Sequence, residues 1–210
     1  MRPVAFVLFA LCAGAGFAQP DEWYAHHNFT IGGGAALPQM DIRGPLEDAP
    51  HFSIAYGYRF ARYFQAESGM DVGFGAAGVH DYLVTDLGYQ RIRDRQYFVP
   101  FGGRAILPFK GERFWIAGGG GGAYLRYGES LHQPSQYYHV DCPVCTSRSG
   151  WGYYALVNAG FALDRARHFR LGVTGKTYRA DTEGEPLGGI PATKTRDKWL
   201  MFGVDFGFSF

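Results

Sequence analysis

Eight ionisable side chains, Arg59, Glu67, Asp71, Arg104, Arg126, Arg170, Lys176 and Asp205, interrupt stretches otherwise rich in glycine, alanine and apolar residues. Five are basic and three acidic, close enough to balance to pair with one another in a confined space. Desolvating an unpaired ion costs several kcal/mol, so a shared buried site for these residues implies a salt-bridge network. Such a network can be a fixed plug or a gate whose pairs exchange partners; a catalytic centre built from the same ions is a third reading. Two further groups carry reactive chemistry. Cys142-Pro143-Val144-Cys145 can close a disulfide, join His139 and His132 on a metal, or act as a redox pair. His51, Ser53 and Glu67 are the residue types of a serine hydrolase, whose base must lie within hydrogen-bond reach of the hydroxyl. Gly32-Gly33-Gly34 and Gly118 to Gly122 superficially suggest phosphate loops, but no Lys-Ser/Thr follows either.

The elements that must hold these residues alternate with period two, as strands do. Eight segments show it: about residues 28–37, 52–60, 64–76, 96–107, 114–127, 151–163, 169–178 and the stretch from Leu200 to Phe210. The last is the clearest, with Leu200, Phe202, Val204, Phe206, Phe208 and Phe210 set against Met201, Gly203, Asp205, Gly207 and Ser209. In the fifth, Trp115, Ala117, Ala123, Leu125 and Tyr127 form the apolar face, which puts Arg126 on the other. Short connections at 61–63, 110–113 and 164–168 alternate with long polar ones at 38–51, 78–95, 128–150 and 181–198. That alternation is the signature of an up-and-down meander.

The N-terminus fixes the compartment. Arg2, the apolar run over 4–17 and Gly16-Phe17-Ala18 read as a secretory signal peptide over residues 1–18, cleaved near Ala18. The run is shorter than the ~20 residues of a spanning helix, and Leu11 before Cys12 argues against a lipoprotein anchor. No later stretch is apolar enough for a transmembrane helix. Arg2 is the only charge in the leader, so processing lowers the net charge from +1 to zero. A chain without a net basic field has nothing to draw it to nucleic acid or an anionic membrane surface. Processing also removes Cys12, and the even pair left in an oxidising compartment favours a Cys142–Cys145 disulfide. A redox role needs a βαβ setting, which the pattern lacks, and one CxxC is a weak zinc signal. No metal and no cofactor are expected.

Facing decides between a soluble and a membrane barrel. The chain is 17% aromatic and only 19% charged, below the roughly 25% charged of globular domains. A soluble barrel hides its apolar face and shows charges outside. Here the face opposite the bulky residues is small and sparsely ionic, which suits a lumen only wide enough for side chains. Bulky residues then face lipid. Tyr56, Tyr97, Tyr127, Trp151 and Tyr153 would form the outer interfacial girdle; Phe60, Tyr63, Phe109, Phe114, Phe169 and Phe210 would form the inner one.

The signal peptide, eight alternating strands and the terminal Phe206-Gly207-Phe208-Ser209-Phe210 resemble the small bacterial outer-membrane β-barrel family, the OmpA/OmpX-type barrel domain. The resemblance implies an all-β, eight-stranded antiparallel up-and-down transmembrane barrel over residues 19–210 in the outer membrane of a Gram-negative bacterium. It further implies that Phe206, Phe208 and Phe210 carry the signal read by the outer-membrane assembly machinery, whose edge can pair with an exposed last strand. Outer-membrane lipid and lipopolysaccharide are the implied surroundings, and four extracellular loops can meet an extracellular ligand. No linker or peptidoglycan-binding domain follows Phe210, so wall anchoring is not expected. His51-Phe52-Ser53 invites comparison with the outer-membrane lipid A deacylases, yet Glu67 belongs near the opposite end of its strand from His51. The function expected is therefore non-enzymatic, a membrane-integrity or surface-interaction role. A narrow passage for small or hydrophobic solutes is the alternative, and a lipid-modifying enzyme the third.

Overall fold

In a computed structural model, the described residues are 24–76, 82–85, 88–109, 113–131, 146–187 and 190–210. The leader over 1–18, Cys142, Cys145, His132 and His139 lie outside them. The described strands are β1 (His27–Met40), β2 (Ala49–Ala61), β3 (Phe64–Phe74), β4 (Tyr82–Thr85), β5 (Gly88–Phe109), β6 (Phe114–Leu131), β7 (Ser147–Ala162), β8 (Phe169–Gly184) and β9 (Thr195–Ser209). Apart from the short β4, which pairs only with the outer part of β5, they form one antiparallel ring. β9 returns to β1, and β3 pairs with β5 to close it. The fold is the expected eight-stranded barrel.

Strand alternation builds the wall. Phe29, Ile31, Phe52, Ile54, Phe202 and Val204 point outward and are 42–55% exposed, while Asn28, Ser53, Asp71 and Ser209 point inward and are buried. On β9 the outward face is apolar from Leu200 to Phe210. At about 3.3 Å per residue and a tilt near 40° that stretch rises roughly 25 Å, the height of the apolar band on a membrane barrel.

Three features differ from the sequence reading. First, the strands run further outward than hydropathy suggests: β5 begins at Gly88, β8 continues to Gly184 and β9 starts at Thr195. Above the apolar band both faces are polar, so backbone pairing continues where the period vanishes from the side chains. Second, β6 is turned by one residue. Phe114, Ile116 and Arg126 face out, whereas Ala117, Ala123, Leu125 and Tyr127 are buried and face in with Trp115. Arg126 and Tyr127 therefore exchange the positions expected of them. A one-residue shift flips every side chain, and Gly118 to Gly122 leave the middle of this strand without side chains to fix its phase. Third, Tyr56 belongs to the inner half, where its hydroxyl bonds His27 Nδ1 at 2.8 Å.

The inner end is tied by short connections and by the paired chain ends. His27 N–H donates to Phe210 O at 2.8 Å, and Phe210 N–H to His27 O at 2.9 Å. In the β7–β8 turn, Asp164 accepts the amides of His168 at 3.2 Å and Phe169 at 2.9 Å. Desolvation opposes ionisation of this carboxyl, but the backbone amide bonds together outweigh it and hold its pKa below the usual value.

Glycine lets β5 and β6 approach closely where the wall bends. Gly102 pairs with Gly121, and a Cβ on Gly121 would stand 2.6 Å from Gly102 Cα and meet the Phe101 carbonyl. Backbone cannot yield as a flexible side chain can. Gly121→Val is expected to destabilise the barrel by about 1–3 kcal/mol, the usual cost of overpacking, read as a lower urea midpoint for unfolding from lipid vesicles. Gly44→Ala, in a loop where a Cβ meets nothing within 4 Å but φ is +116°, is expected to leave the barrel's heat-modifiable gel shift intact.

Candidate functional site

The lumen is the one enclosed polar space that the ring creates, and its filling changes from one end to the other. At the inner end, Ser209 Oγ donates to Asn28 Oδ1 at 2.7 Å, Arg59 Nε donates to Arg62 O at 2.8 Å, and the Arg170 guanidinium lies 5.2 Å from the Trp115 ring centroid. Trp115 Nε1–H donates to Asn158 Oδ1 at 2.7 Å, and Asn158 Nδ2 donates to Thr174 Oγ1 at 2.6 Å. Thr174 then donates to Asp205. Asp205 is thus held by a hydroxyl and an amide.

Above this layer are two ion pairs. Arg104 Nε meets Glu67 Oε2 at 2.5 Å, and Tyr154 donates its hydroxyl to Glu67 Oε1 at 3.0 Å. Lys176 Nζ lies 3.0 Å from both oxygens of Asp71, which also accepts the Tyr178 hydroxyl. The structure therefore brings Arg59, Glu67, Asp71, Arg104, Arg170, Lys176 and Asp205 into the lumen. It leaves Arg126 outside, exposed on β6.

The outer half is closed by an aromatic layer, whose Tyr127 hydropathy places toward lipid, and by residues from connections that read as loops. Phe98, Tyr127, Tyr178 and Trp199 are each fully buried. Trp199 Nε1–H donates to Tyr127 Oη at 2.9 Å, and the Phe98 ring packs tilted at 5.0 Å from Tyr178 and edge-to-face at 5.4 Å from Trp199. Over them fold Ile42 and Leu46 from the β1–β2 connection and Leu187 and Ile190 from the β8–β9 connection, all at most 3% exposed.

A second polar cluster sits at this outer end. Arg148, 2% exposed, donates to Thr182 Oγ1 at 3.0 Å and Thr195 Oγ1 at 2.7 Å. It also donates to the carbonyls of Pro191 at 2.9 Å, Thr182 at 3.0 Å and Thr193 at 3.2 Å. The same two hydroxyls donate to Asp197 at 2.6 and 2.8 Å. Two threonines thus relay the arginine's charge to a buried carboxylate. The alternation Thr195, Asp197, Trp199, Met201 carries the signal for this cluster, because it continues the inward period of β9 past the apolar band.

The serine-hydrolase set is not assembled. His51 pairs with Gly73 of β3, whereas Glu67 pairs with Gly57. Six residue steps at about 3.3 Å put roughly 20 Å between the levels of the two. Among the described residues no cluster of His, Cys, Asp or Glu could hold a metal ion. What remains open in the lumen is a cavity of about 70 Å³ bordered by Glu67, Arg104, Asn158, Arg170 and Asp205. One water needs about 10–15 Å³, so this space suits a few waters.

The geometry makes the Asp71–Lys176 pair a test of the filling. Lys176→Met leaves Asp71 without its cation and is expected to cost about 3–5 kcal/mol. Adding Asp71→Asn, which still accepts the Tyr178 hydroxyl, is expected to recover most of that loss. Urea unfolding across the double-mutant cycle measures the coupling, and additive losses would show that the pair does not act as a unit.

Among solved structures, the outer membrane protein OprG of Pseudomonas aeruginosa matches with 16% identity over 88% of this chain and 97% of that one, at a TM-score of 0.52. Neisserial surface protein A matches with 12% identity over 88% and 97%, at 0.50. Ail, the attachment invasion locus protein of Yersinia pestis, in its complex with the heparin analogue sucrose octasulfate, matches with 11% identity over 89% and 100%, at 0.50. No protein-family model and no curated protein matches the chain. The fold is thus that of small bacterial outer-membrane barrels.

Proposed function

We propose that this chain is an integral outer-membrane barrel whose lumen is a structural plug and whose work is done at its outward loops and rim, as a non-enzymatic surface-interaction or membrane-integrity protein. The observation that carries this reading is the filled outer half, where Phe98, Tyr127, Tyr178 and Trp199 are buried beneath Ile42, Leu46, Leu187 and Ile190. An aqueous path has no room there. The outward apolar band and the likeness in fold to outer-membrane barrels support the location. The leader over 1–18, a Cys142–Cys145 disulfide in the β6–β7 loop and the assembly signal at Phe206, Phe208 and Phe210 belong to the same reading. The complex of Ail with a heparin analogue supports ligand binding as a role that a barrel of this fold can serve.

Reconstituted in planar bilayers, the wild type and Arg104→Ala are expected to give no stepwise conductance. Reproducible channels would overturn the plug. Replacing residues 132–145 by a short Gly-Ser linker is expected to abolish binding of cells to the surface ligand while the barrel keeps its heat-shifted gel migration. Unchanged lipid A mass in overproducing cells would separate this role from a lipid-modifying enzyme.

One observation favours passage of apolar solutes through the wall as a second reading. The pairs between β3 and β5 stop at Ser68↔Phe101 and resume at Asp71↔Phe98. Pro100 lies in that gap without an amide hydrogen, and Ser68 Oγ bridges to its carbonyl at 3.1 Å. Permeability to an apolar solute that survives loop replacement but falls in Pro100→Ala would support it.

A further inference from the structure

The basic residue that sequence alternation assigned to the lumen points instead to a lipid-binding belt. Arg126 faces outward at the upper edge of the apolar band, and Arg95, Arg179 and Lys198 stand on the same outward face of β5, β8 and β9. Register groups them in two pairs. Arg179 and Lys198 are direct cross-strand partners. Arg95 is opposite Gly128 and Arg126 opposite Tyr97, so these two arginines are diagonal neighbours on β5 and β6. Like charges placed directly opposite in a sheet destabilise it, so the Arg179–Lys198 pair calls for an anion from outside the chain. The diagonal Arg95–Arg126 pair offers such an anion two guanidinium groups within reach of long side chains.

Charges one step further outward behave differently. Lys194 pairs with Asp181 at 3.3 Å, and Arg196 with Asp41 at 3.6 Å. Arg95, Arg126, Arg179 and Lys198 make no ion pair among the described residues. Trp151 and Tyr153, 68% and 54% exposed, stand beside them on β7, where Tyr153 is the cross-strand partner of Arg179. Inward along the same outward faces the wall turns apolar through Tyr97 and Val99 on β5, Tyr124 on β6, and Leu200 and Phe202 on β9. The surface is thus cationic above and aromatic then aliphatic below. A molecule that matches both parts carries phosphate at its head and acyl chains beneath.

We propose that the belt binds a phosphate-bearing lipid of the outer leaflet, with phosphate groups seated between Arg179 and Lys198 and between Arg95 and Arg126, and acyl chains on the apolar band. The proposal rests on the membrane reading given above. The zero net charge of the processed chain conceals the site, because a net charge carries no information on where cations and carboxylates stand. Arginine can offer a phosphate two parallel N–H donors, and lysine a point charge.

The test uses the full processed barrel, folded in a neutral detergent, with four probes: bisphosphorylated lipid A, its dephosphorylated form, inorganic phosphate and sucrose octasulfate. Native mass spectrometry is expected to show bisphosphorylated lipid A retained on the wild type, with the dephosphorylated lipid and inorganic phosphate held at least tenfold more weakly. The double variants R179Q/K198Q and R95Q/R126Q are each expected to lose fivefold or more in retention, and R196Q, whose partner is Asp41, to bind as wild type. Arg179→Lys is expected to retain most of the binding. Heat-shifted migration checks every variant for folding; its absence in the wild type would remove the membrane reading itself. Equal retention of the two lipids, wild-type binding by both double variants, or tight binding of sucrose octasulfate with no lipid retained would each overturn the belt while leaving the barrel standing.

Discussion

Closure of the β3–β5 seam is the constraint from which the rest follows. In hydrocarbon there is no water to satisfy a free amide or carbonyl, so a sheet can cross only if its two edges meet. Eight strands meet in a ring whose interior is about as wide as two facing side chains. Such a ring cannot stay empty, because voids forfeit packing, and it cannot hold loose ions, because desolvation penalises them. Every inward position is therefore decided by what stands opposite it. Gly102 and Gly121 leave out side chains so that the backbones can approach, while Glu67 with Arg104, and Asp71 with Lys176, fill the space with charge that cancels locally.

Two solutions to the same filling problem are stacked along one axis. The inner half uses ions, amides and hydroxyls around a small cavity. The outer half uses Phe98, Tyr127, Tyr178 and Trp199, whose rings occupy volume without demanding counter-charges. Tyrosine joins the halves: Tyr154 and Tyr178 pack their rings outward of the ions while their hydroxyls reach Glu67 and Asp71. Because the ions are bonded to neighbours locked by packing, exchange of partners would require moving the aromatic layer as well. This coupling is the physical argument for proposing a plug rather than a gate.

How much of this was legible in the sequence depends on whether a strand's two faces differ. In β9, Phe202, Val204, Phe206 and Phe208 alternate with Gly203, Asp205 and Gly207, and both strand and facing are readable. In β6 they are not, since Trp115 and Tyr127 on the inside are as apolar as Ile116 and Tyr124 on the outside. Hydropathy reports contrast, not direction, so an aromatic layer inside a membrane barrel erases it. The outer ends fail for the opposite reason. Arg179, Asp181 and Glu183 outside, with Thr182 inside, are polar on both faces, and β8 there reads as loop although its pairing with β9 is complete to Thr182↔Thr195. Seven of the eight expected ions share the lumen, yet Arg148 and Asp197 escaped notice because they lie where the contrast had ended.

The arginines show why residue type alone could not sort these positions. Arg104 lies half-buried against a carboxylate, and its charge is cancelled by contact. Arg148 is more deeply buried and meets three carbonyls and two hydroxyls, which suits the five N–H donors of a guanidinium. Its countercharge, Asp197, is reached through Thr182 and Thr195. Arg126 lies on the other face of a neighbouring strand, with no carboxylate or carbonyl partner among the described residues. The same side chain is an ion-pair partner, a hydrogen-bonding keystone and a surface cation, and height and facing alone decide which. A barrel that must cancel charge inside and exclude it from the lipid band leaves its uncompensated cations to the two interfaces, and at the outer one anions of the leaflet can come to them.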